Sequence, residues 1–242
     1  MAGKVKINGQ TVDSPGLKID VLRDTLEVDG KKADFPAQND HVYLLFHKPV
    51  QVVTTASDPQ GRATVFDVLP DFVRRKRLFS VGRLDYFSEG LLILTNDGDL
   101  AHRLTHPSWH APKRYRVIVR EEPSEAALLA IRDGMRLAEG ERLAPAKVSV
   151  SPSERPKGFV LELELIQGLN RQIRRMCRDL GLTVLRLVRV SQGPVELGDL
   201  PSGKYRDLTP GEVDALRKSV GLADGAAPSP KPKRNPGDRP PR

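Results

Sequence analysis

The sequence predicts an α+β fold: a mixed, mainly antiparallel sheet with flanking helices. Two observations lead there. β-type runs are interrupted by helical ones without the regular alternation of βαβ units, and no segment repeats internally.

The elements follow in order. Val5–Ile7 runs into Asn8-Gly9 and Leu26–Val28 into Asp29-Gly30, each a β run meeting a strong hairpin-turn dipeptide. A proline-containing polar stretch, Pro36–Asp40, reads as a linker. β character then recurs at Val42–Phe46, Val52–Thr54, Leu91–Thr95, Tyr115–Val119, Lys147–Val150, Phe159–Ile166 and Val184–Val190. Helical character appears at Asp99–Leu104, Ser124–Arg132, Arg171–Leu180 and Pro210–Lys218, with Asp99 and Ser124 placed as N-caps. The last stretch, GAAPSPKPKRNPGDRPPR, carries no large apolar residue and is expected to be disordered, having nothing to bury against its ordering entropy. The expected organisation is a β-rich segment with linker over 1–38, one large domain over 39–221 and a basic proline-rich tail over 222–242.

The chain has 242 residues, a net charge of +8 and a pI near 9.7, which suits a polyanionic partner. Residues 1–40 carry six Lys/Arg against seven Asp/Glu, and residues 222–242 carry five against two, so most of the surplus sits in the large domain. No window approaches the roughly 20 apolar residues of a membrane span, and MAGKVKINGQ lacks the layout of a secretory signal. A cytoplasmic location and no membrane partner are expected. The single cysteine, Cys177, excludes an intramolecular disulfide and a cysteine-based zinc site; its place beside Met176 reads as buried and inert.

Two segments carry candidate chemistry. In GRLDYFSEGLLILTNDGDL, Asp85 sits in a loop before the apolar run Leu91–Leu94, and Asp97-Gly98 reads as a turn. Taken alone, Asp85 is more often an ordinary turn residue. In GLNRQIRRMCRDLG, Ile173, Met176, Cys177 and Leu180 keep the spacing of a buried helical stripe. Arg171, Arg174, Arg175 and Arg178 keep the same spacing out of phase. A solvated basic face is the bland reading, but four like charges on adjacent turns repel one another, which favours an anionic partner. Arg174, next to Ile173, lies at the border of the stripe, where it can point into a cleft.

GRLDYFSEGLLILTNDGDL, KRYRV at 113–117 and QGLNRQIRRMC at 167–177 together resemble the three signature regions of the RsuA-type ribosomal RNA pseudouridine synthases. The likeness runs from about His47 to Leu208, with KPVQVVTTASDPQGRATVFDVLP at its entry and KYRDLT at its exit. It implies a pseudouridine synthase fold with a central RNA-binding cleft and Asp85 as the essential carboxylate. It further implies Arg174 as that carboxylate's basic partner and Tyr115 as the ring that stacks on the target base. Arg83 is matched to the arginine that fills the space left by the flipped nucleotide, and Ile173 to the aliphatic floor of the pocket. Asn170, Arg171, Arg175 and Lys113 are expected to bind substrate.

The implied reaction breaks the N1–C1′ bond of a uridine, rotates the uracil and rejoins it through C5, with no cofactor and no metal. A carboxylate beside the sugar can attack C1′ or remove the C2′ proton, and a nearby arginine favours its ionised form. The base must be flipped into a pocket. QGLNRQIRRMC and KYRDLTPGE resemble the branch acting on large-subunit (23S) rRNA, so ribosomal RNA or assembly intermediates are the expected partners of a monomer.

Two departures stand out. GKVKINGQTV and TLEVDGKKA resemble only the β-rich half of the S4-like domain with which many relatives begin, which suits packing better than RNA docking. Gln51 replaces a glycine common after KPV. Two other functions would use some of the same residues. A metal-dependent nuclease would use His102, His106 and His110, but Pro107 and Pro112 break the helix that would align them. A noncatalytic ribosome assembly factor would use the same basic cleft but has no need of Asp85.

Overall fold

The structure, a computed structural model, describes residues 5–12, 17, 19, 24–33, 41–109 and 111–222. The linker at Pro36–Asp40, the tail beyond residue 222 and His110 lie outside these. The chain divides into two compact units, Met1–His41 and Val42–Arg242.

The first unit is a four-stranded antiparallel sheet in the order β2-β1-β3-β4, with β1 Val5–Ile7, β2 Gln10–Thr11, β3 Leu26–Val28 and β4 Lys31–Lys32. Both hairpins close as their dipeptides require: φ is 50° and 79° at Asn8-Gly9 and 51° and 75° at Asp29-Gly30. Two consecutive left-handed residues make the turn whose twist matches the strands, and Asn, Asp and Gly tolerate it best. The Asn8 side chain also accepts from Thr25 N at 2.8 Å and donates to Asp24 at 2.9 Å.

The second unit is built on a nine-stranded sheet. Its strands are β5 Tyr43–Lys48, β6 Phe79–Ser80, β7 Glu89–Thr95, β8 Lys113–Val119, β9 Lys147–Glu154, β10 Lys157–Leu165, β11 Val184–Gln192, β12 Val195–Glu196 and β13 Tyr205–Asp207. The order is β13-β5-β7-β11-β8-β10-β9, with β6 on β7 and β12 on β11. Every pairing is antiparallel except β7 with β11. The helices are α1 Asp71–Arg74, α2 Gly98–Thr105, α3 Glu125–Asp133, α4 Gln172–Asp179 and α5 Pro210–Ser219.

The uninterrupted apolar run of β7 is explained by burial on both faces. Leu91 and Ile93 join α2 and Leu216 of α5 in one core, while Leu92 and Leu94 meet Leu44, Phe46, Val65 and Val73 in another. A third core lies under α3 and α4, where Ile173, Met176 and Cys177 pack on β8 and β10. Each of these side chains is almost wholly buried, worth about 1.5–3 kcal/mol apiece for the larger ones.

The parallel β7–β11 junction is only two residue pairs long, Glu89 with Val188 and Gly90 with Arg189. Gly90 (φ 111°) is required there, since a Cβ at that position would lie 2.3 Å from the Arg189 carbonyl oxygen.

Several sequence expectations are corrected. The N-cap of α2 is Asp97, not Asp99: Asp97 accepts from Leu100 N at 3.0 Å, from Tyr43 Oη at 2.8 Å and from Arg217 at 3.0 Å. A cap that also joins β5 and α5 does more than the exposed Asp99 could, and burial with this carboxylate beside it pushes Tyr43 up to about 12. Val52–Thr54 makes no strand, only a bridge from Val53 to Thr64. The strands β6, β12 and β13 and the single turn of α1 were not anticipated. The other expected cap holds, with Ser124 accepting from Ala127 N at 3.2 Å; the capping box of Thr209 and Glu212 ahead of Pro210 was not anticipated.

Candidate active site

A cleft of about 720 Å³ opens where the loop before β7, the end of α2, the cleft face of β8 and β11, and the start of α4 converge. Asp85, Arg83, Tyr115, Lys113, Ile173, Asn170, Arg171 and Arg174 all line it. Residues from three distant stretches of sequence therefore meet in one place.

The loop that carries Asp85 is held by its backbone. Leu84 O accepts from Thr54 Oγ1 at 2.8 Å, Asp85 O from Ser88 N at 3.0 Å, and Tyr86 O from Gln51 N at 2.7 Å. Phe87 O accepts from Arg174 at 2.6 Å and Ser88 O from Lys48 Nζ at 2.8 Å. Five consecutive carbonyls thus each have a donor. Gln51 sits at φ 62°, the left-handed region that costs any side chain about 1–2 kcal/mol, which accounts for glycine being the easier residue there.

The half-buried Asp85 carboxylate has no hydrogen-bond or ion-pair partner among the described residues. The direct Arg174–Asp85 pair implied by the resemblance is not formed. Arg174 donates instead to Phe87 O, with Ser88 Oγ at 3.5 Å, so it braces the loop and faces Asp85 only electrostatically. Burial, then Arg171, pulls Arg174 below its ordinary range, and Asp85 partly offsets this.

Arg175 is also corrected. It does not line the cleft but forks onto Glu141, with N–O distances of 3.0 to 3.2 Å. Arg178 pairs with Glu139 and Asp179 at 2.8 and 2.7 Å. Two of the four arginines are thus neutralised within the protein, leaving Arg171 and Arg174 to the cleft. Arg171, at the N-cap of α4, lies in the left-handed region at φ 48° with no side-chain cap, and is exposed at the rim.

Three residues escaped the sequence reading. Lys48 ends the apolar strand β5 with no exposure at all and donates to Pro49 O and Ser88 O, both at 2.8 Å. Burial lowers it to about 8, with Asp85 and Glu89 pulling the other way. A lysine closing the otherwise apolar run YLLFH was the available signal. Arg189 and Gln192 lie on the cleft face of β11, opposite Tyr115 and Lys113 of β8. They share that face, although three residues apart, because the ladder is irregular between Arg189 and Ser191.

Cys177 is buried, and burial pushes its thiol up to about 12, so it is no nucleophile. The rings of His102 and His106 stand 5.2 Å apart, but α2 ends at Thr105 and no cluster of three metal-ligating side chains occurs among the described residues.

The sequence model of one family, described as RNA pseudouridylate synthase, matches residues 42–179. The chain belongs to that family. It is 38% identical over 216 residues to the "Ribosomal large subunit pseudouridine synthase B" of Bacillus subtilis (strain 168), covering 89% of this chain and 86% of the relative. It is 37% identical over 223 residues to an "Uncharacterized RNA pseudouridine synthase" of Aquifex aeolicus (strain VF5), covering 92% and 87%. A solved structure titled "Crystal structure of pseudouridylate synthase" superposes with a TM-score of 0.69 at 30% identity, over 88% of each chain. The sheet described above is a pseudouridine synthase fold, and this RNA pseudouridine synthase converts uridine to pseudouridine.

Proposed function

We propose that this synthase modifies large-subunit (23S) ribosomal RNA in the cytoplasm, as a monomer, with Asp85 as the carboxylate that acts on the ribose. The observation carrying the reading is an unpaired carboxylate held on a braced loop, in a cleft shared with an aromatic ring and unneutralised cations. Residues 39–221 form the catalytic domain, and the segment over 1–38 is an S4-like remnant without an RNA-docking role.

The chemistry follows from the groups present. A flipped uridine lays its base on Tyr115 and its sugar toward Asp85, with Arg83 entering the vacated stack. An Asp85 oxygen attacks C1′, or accepts the C2′ proton, and the N1–C1′ electron pair leaves with the base. Stacking limits tilt more than spin, so the freed uracil turns on the ring until C5 faces C1′. C5 then attacks, loses its proton as N1 gains one, and Asp85 is restored. Arg174 and Lys48 hold the loop so that the carboxylate keeps its place through both bond changes.

Support for the large-subunit assignment comes from the likeness of QGLNRQIRRMC to that branch and from the printed name of the Bacillus subtilis relative. Asn170 and Arg171, at the exposed start of α4, would meet the phosphates or the base beside the target. Purified protein incubated with protein-free 23S and 16S rRNA, followed by pseudouridine mapping, tests this. Modification of 23S rRNA is expected; modification of 16S rRNA alone would overturn the branch assignment and leave the enzyme class standing.

A further inference from the structure

The sheet floor of the cleft carries polar groups that the reaction so far described does not use. Arg189 is 2% exposed; its Nε donates to Leu91 O at 2.7 Å, while its Nη2 is buried without a partner. Gln192 has no exposure, and neither its Oε1 nor its Nε2 has a partner. Lys113, opposite Gln192, donates only to Ala111 O at 3.1 Å. No carboxylate pairs with Arg189 or Lys113 among the described residues.

Leaving such groups without a partner is costly, more so for a charged group than for a neutral one. Two residues with such groups, Arg189 and Gln192, stand with Lys113 on one face, all lining the cleft, and form a ready set of donors for something that enters it.

We infer that Arg189, Gln192 and Lys113 form a subsite for the edge of the detached uracil, stabilising it as its anion when the N1–C1′ bond breaks, before it turns on Tyr115. This rests on the isomerase reading above. The pattern fits the base: uracil presents two carbonyl oxygens flanking an N3–H. The Gln192 amide, a donor beside an acceptor, matches O4 and N3–H. The Arg189 guanidinium matches O2, the oxygen conjugated directly to N1.

The fit is better to the intermediate than to the bound uridine. When the N1–C1′ bond breaks, its electron pair stays on the base and spreads over N1, O2 and O4. C1′ is meanwhile held by an Asp85 oxygen, or its neighbour C2′ has given a proton to that carboxylate. Fixed cations aimed where this charge appears stabilise the step without reorganising. A phosphodiester would find the same charges, but Arg189 and Gln192 lie on the buried floor with Lys113 half-buried beside them, whereas the exposed Arg171 and Asn170 stand at the rim where a backbone would run.

A chemical cycle tests this. Large-subunit rRNA fragments carry uridine, 2-thiouridine or 4-thiouridine at the modified position, and single-turnover rates are measured with wild type, Arg189→Gln and Gln192→Met. Sulfur is a poor acceptor, so 2-thio substitution should slow wild type at least tenfold. It should slow Arg189→Gln, itself about a hundredfold impaired on uridine, less than threefold. The 4-thio substitution should show the same coupling with Gln192→Met. Effects of sulfur on base acidity or sugar pucker are common to all enzymes and cancel. If the thio and side-chain losses simply multiply, the contacts do not exist.

A second measurement needs no RNA. Millimolar uracil should shift the Gln192 side-chain amide resonance of ¹⁵N-labelled protein, and Arg189→Gln should weaken that binding at least tenfold. An unmoved amide overturns the subsite even where turnover is intact. Absence of pseudouridine from every rRNA would instead sink the proposed function, and the uracil titration would still decide the subsite.

Discussion

Replacing Lys48 by methionine separates what a buried cation costs from what it holds in place. In the folded protein the ammonium is wholly buried, and burial brings it from 10.5 to about 8. That difference corresponds to about 3 kcal/mol against the folded state at neutral pH. Below pH 8 both folded and unfolded chains carry the proton, and the cost is constant. Between about 8 and 10.5 the unfolded chain binds a proton the folded one has released, so this group makes the protein more stable as pH rises. Lys48→Met removes the titration and strands two carbonyls, Pro49 O and Ser88 O, which costs about 1–3 kcal/mol each. At pH 7.5 gain and loss nearly cancel, so the variant should lie within about 2 kcal/mol of wild type. Going to pH 9.5, wild type should gain about 2 kcal/mol on the variant, read from urea unfolding at the two pH values. The single-turnover rate should fall about tenfold to a hundredfold, since Ser88 O no longer anchors the Asp85 loop. Parallel pH dependences for the two proteins, or an unchanged rate, would refute the assignment of Lys48 as a buried brace.

Asp85→Asn keeps shape and loses the reactive oxygen, so isomerisation should fall by at least about 10³ while RNA affinity stays within about threefold, measured by filter binding. Arg174→Met should slow turnover at least tenfold by releasing Phe87 O, whereas Arg175→Met, whose partner is Glu141, should change the rate less than threefold; equal effects would contradict the division drawn between them. Gly90→Ala places a Cβ 2.3 Å from the Arg189 carbonyl, so it should destabilise the fold by about 3 kcal/mol or more, read as a fall in Tm. A soluble variant with wild-type Tm would show that the β7–β11 junction can shift.

Much of this was legible where sequence and structure share a local rule. Asn8-Gly9 and Asp29-Gly30 announce their turns because the backbone angle is a property of the dipeptide. Leu91–Leu94 reads as β because a short apolar run, too short for a buried helix and closed by the Asp97-Gly98 turn, suits a buried strand. Asp85, Tyr115 and Arg174 were found by motif, and the cleft brings them together. What failed depends on partners far along the chain. Asp97 outranks Asp99 as a cap because Tyr43 and Arg217 converge on it, which local spacing does not reveal. Arg175 and Arg174 are neighbours in sequence, and only the position of Glu141 tells one from the other. Arg189 and Gln192 lie in what reads as an ordinary β run, and the irregular register that aligns them is invisible before the strands are paired.

The five gripped carbonyls of Leu84 to Ser88 bear on which uridines this enzyme can reach. A loop already fixed in its working shape loses little freedom when substrate arrives, so the adaptation on binding falls on the RNA. A uridine inside a continuous helix must give up its pairing and stacking before it meets the carboxylate, at a cost of a few kcal/mol. One in a loop, a bulge or a strained junction has given up much of that beforehand. A stiff protein of this kind selects by the readiness of the nucleotide to leave its neighbours, and it should favour rRNA during assembly, before tertiary contacts lock the target in place.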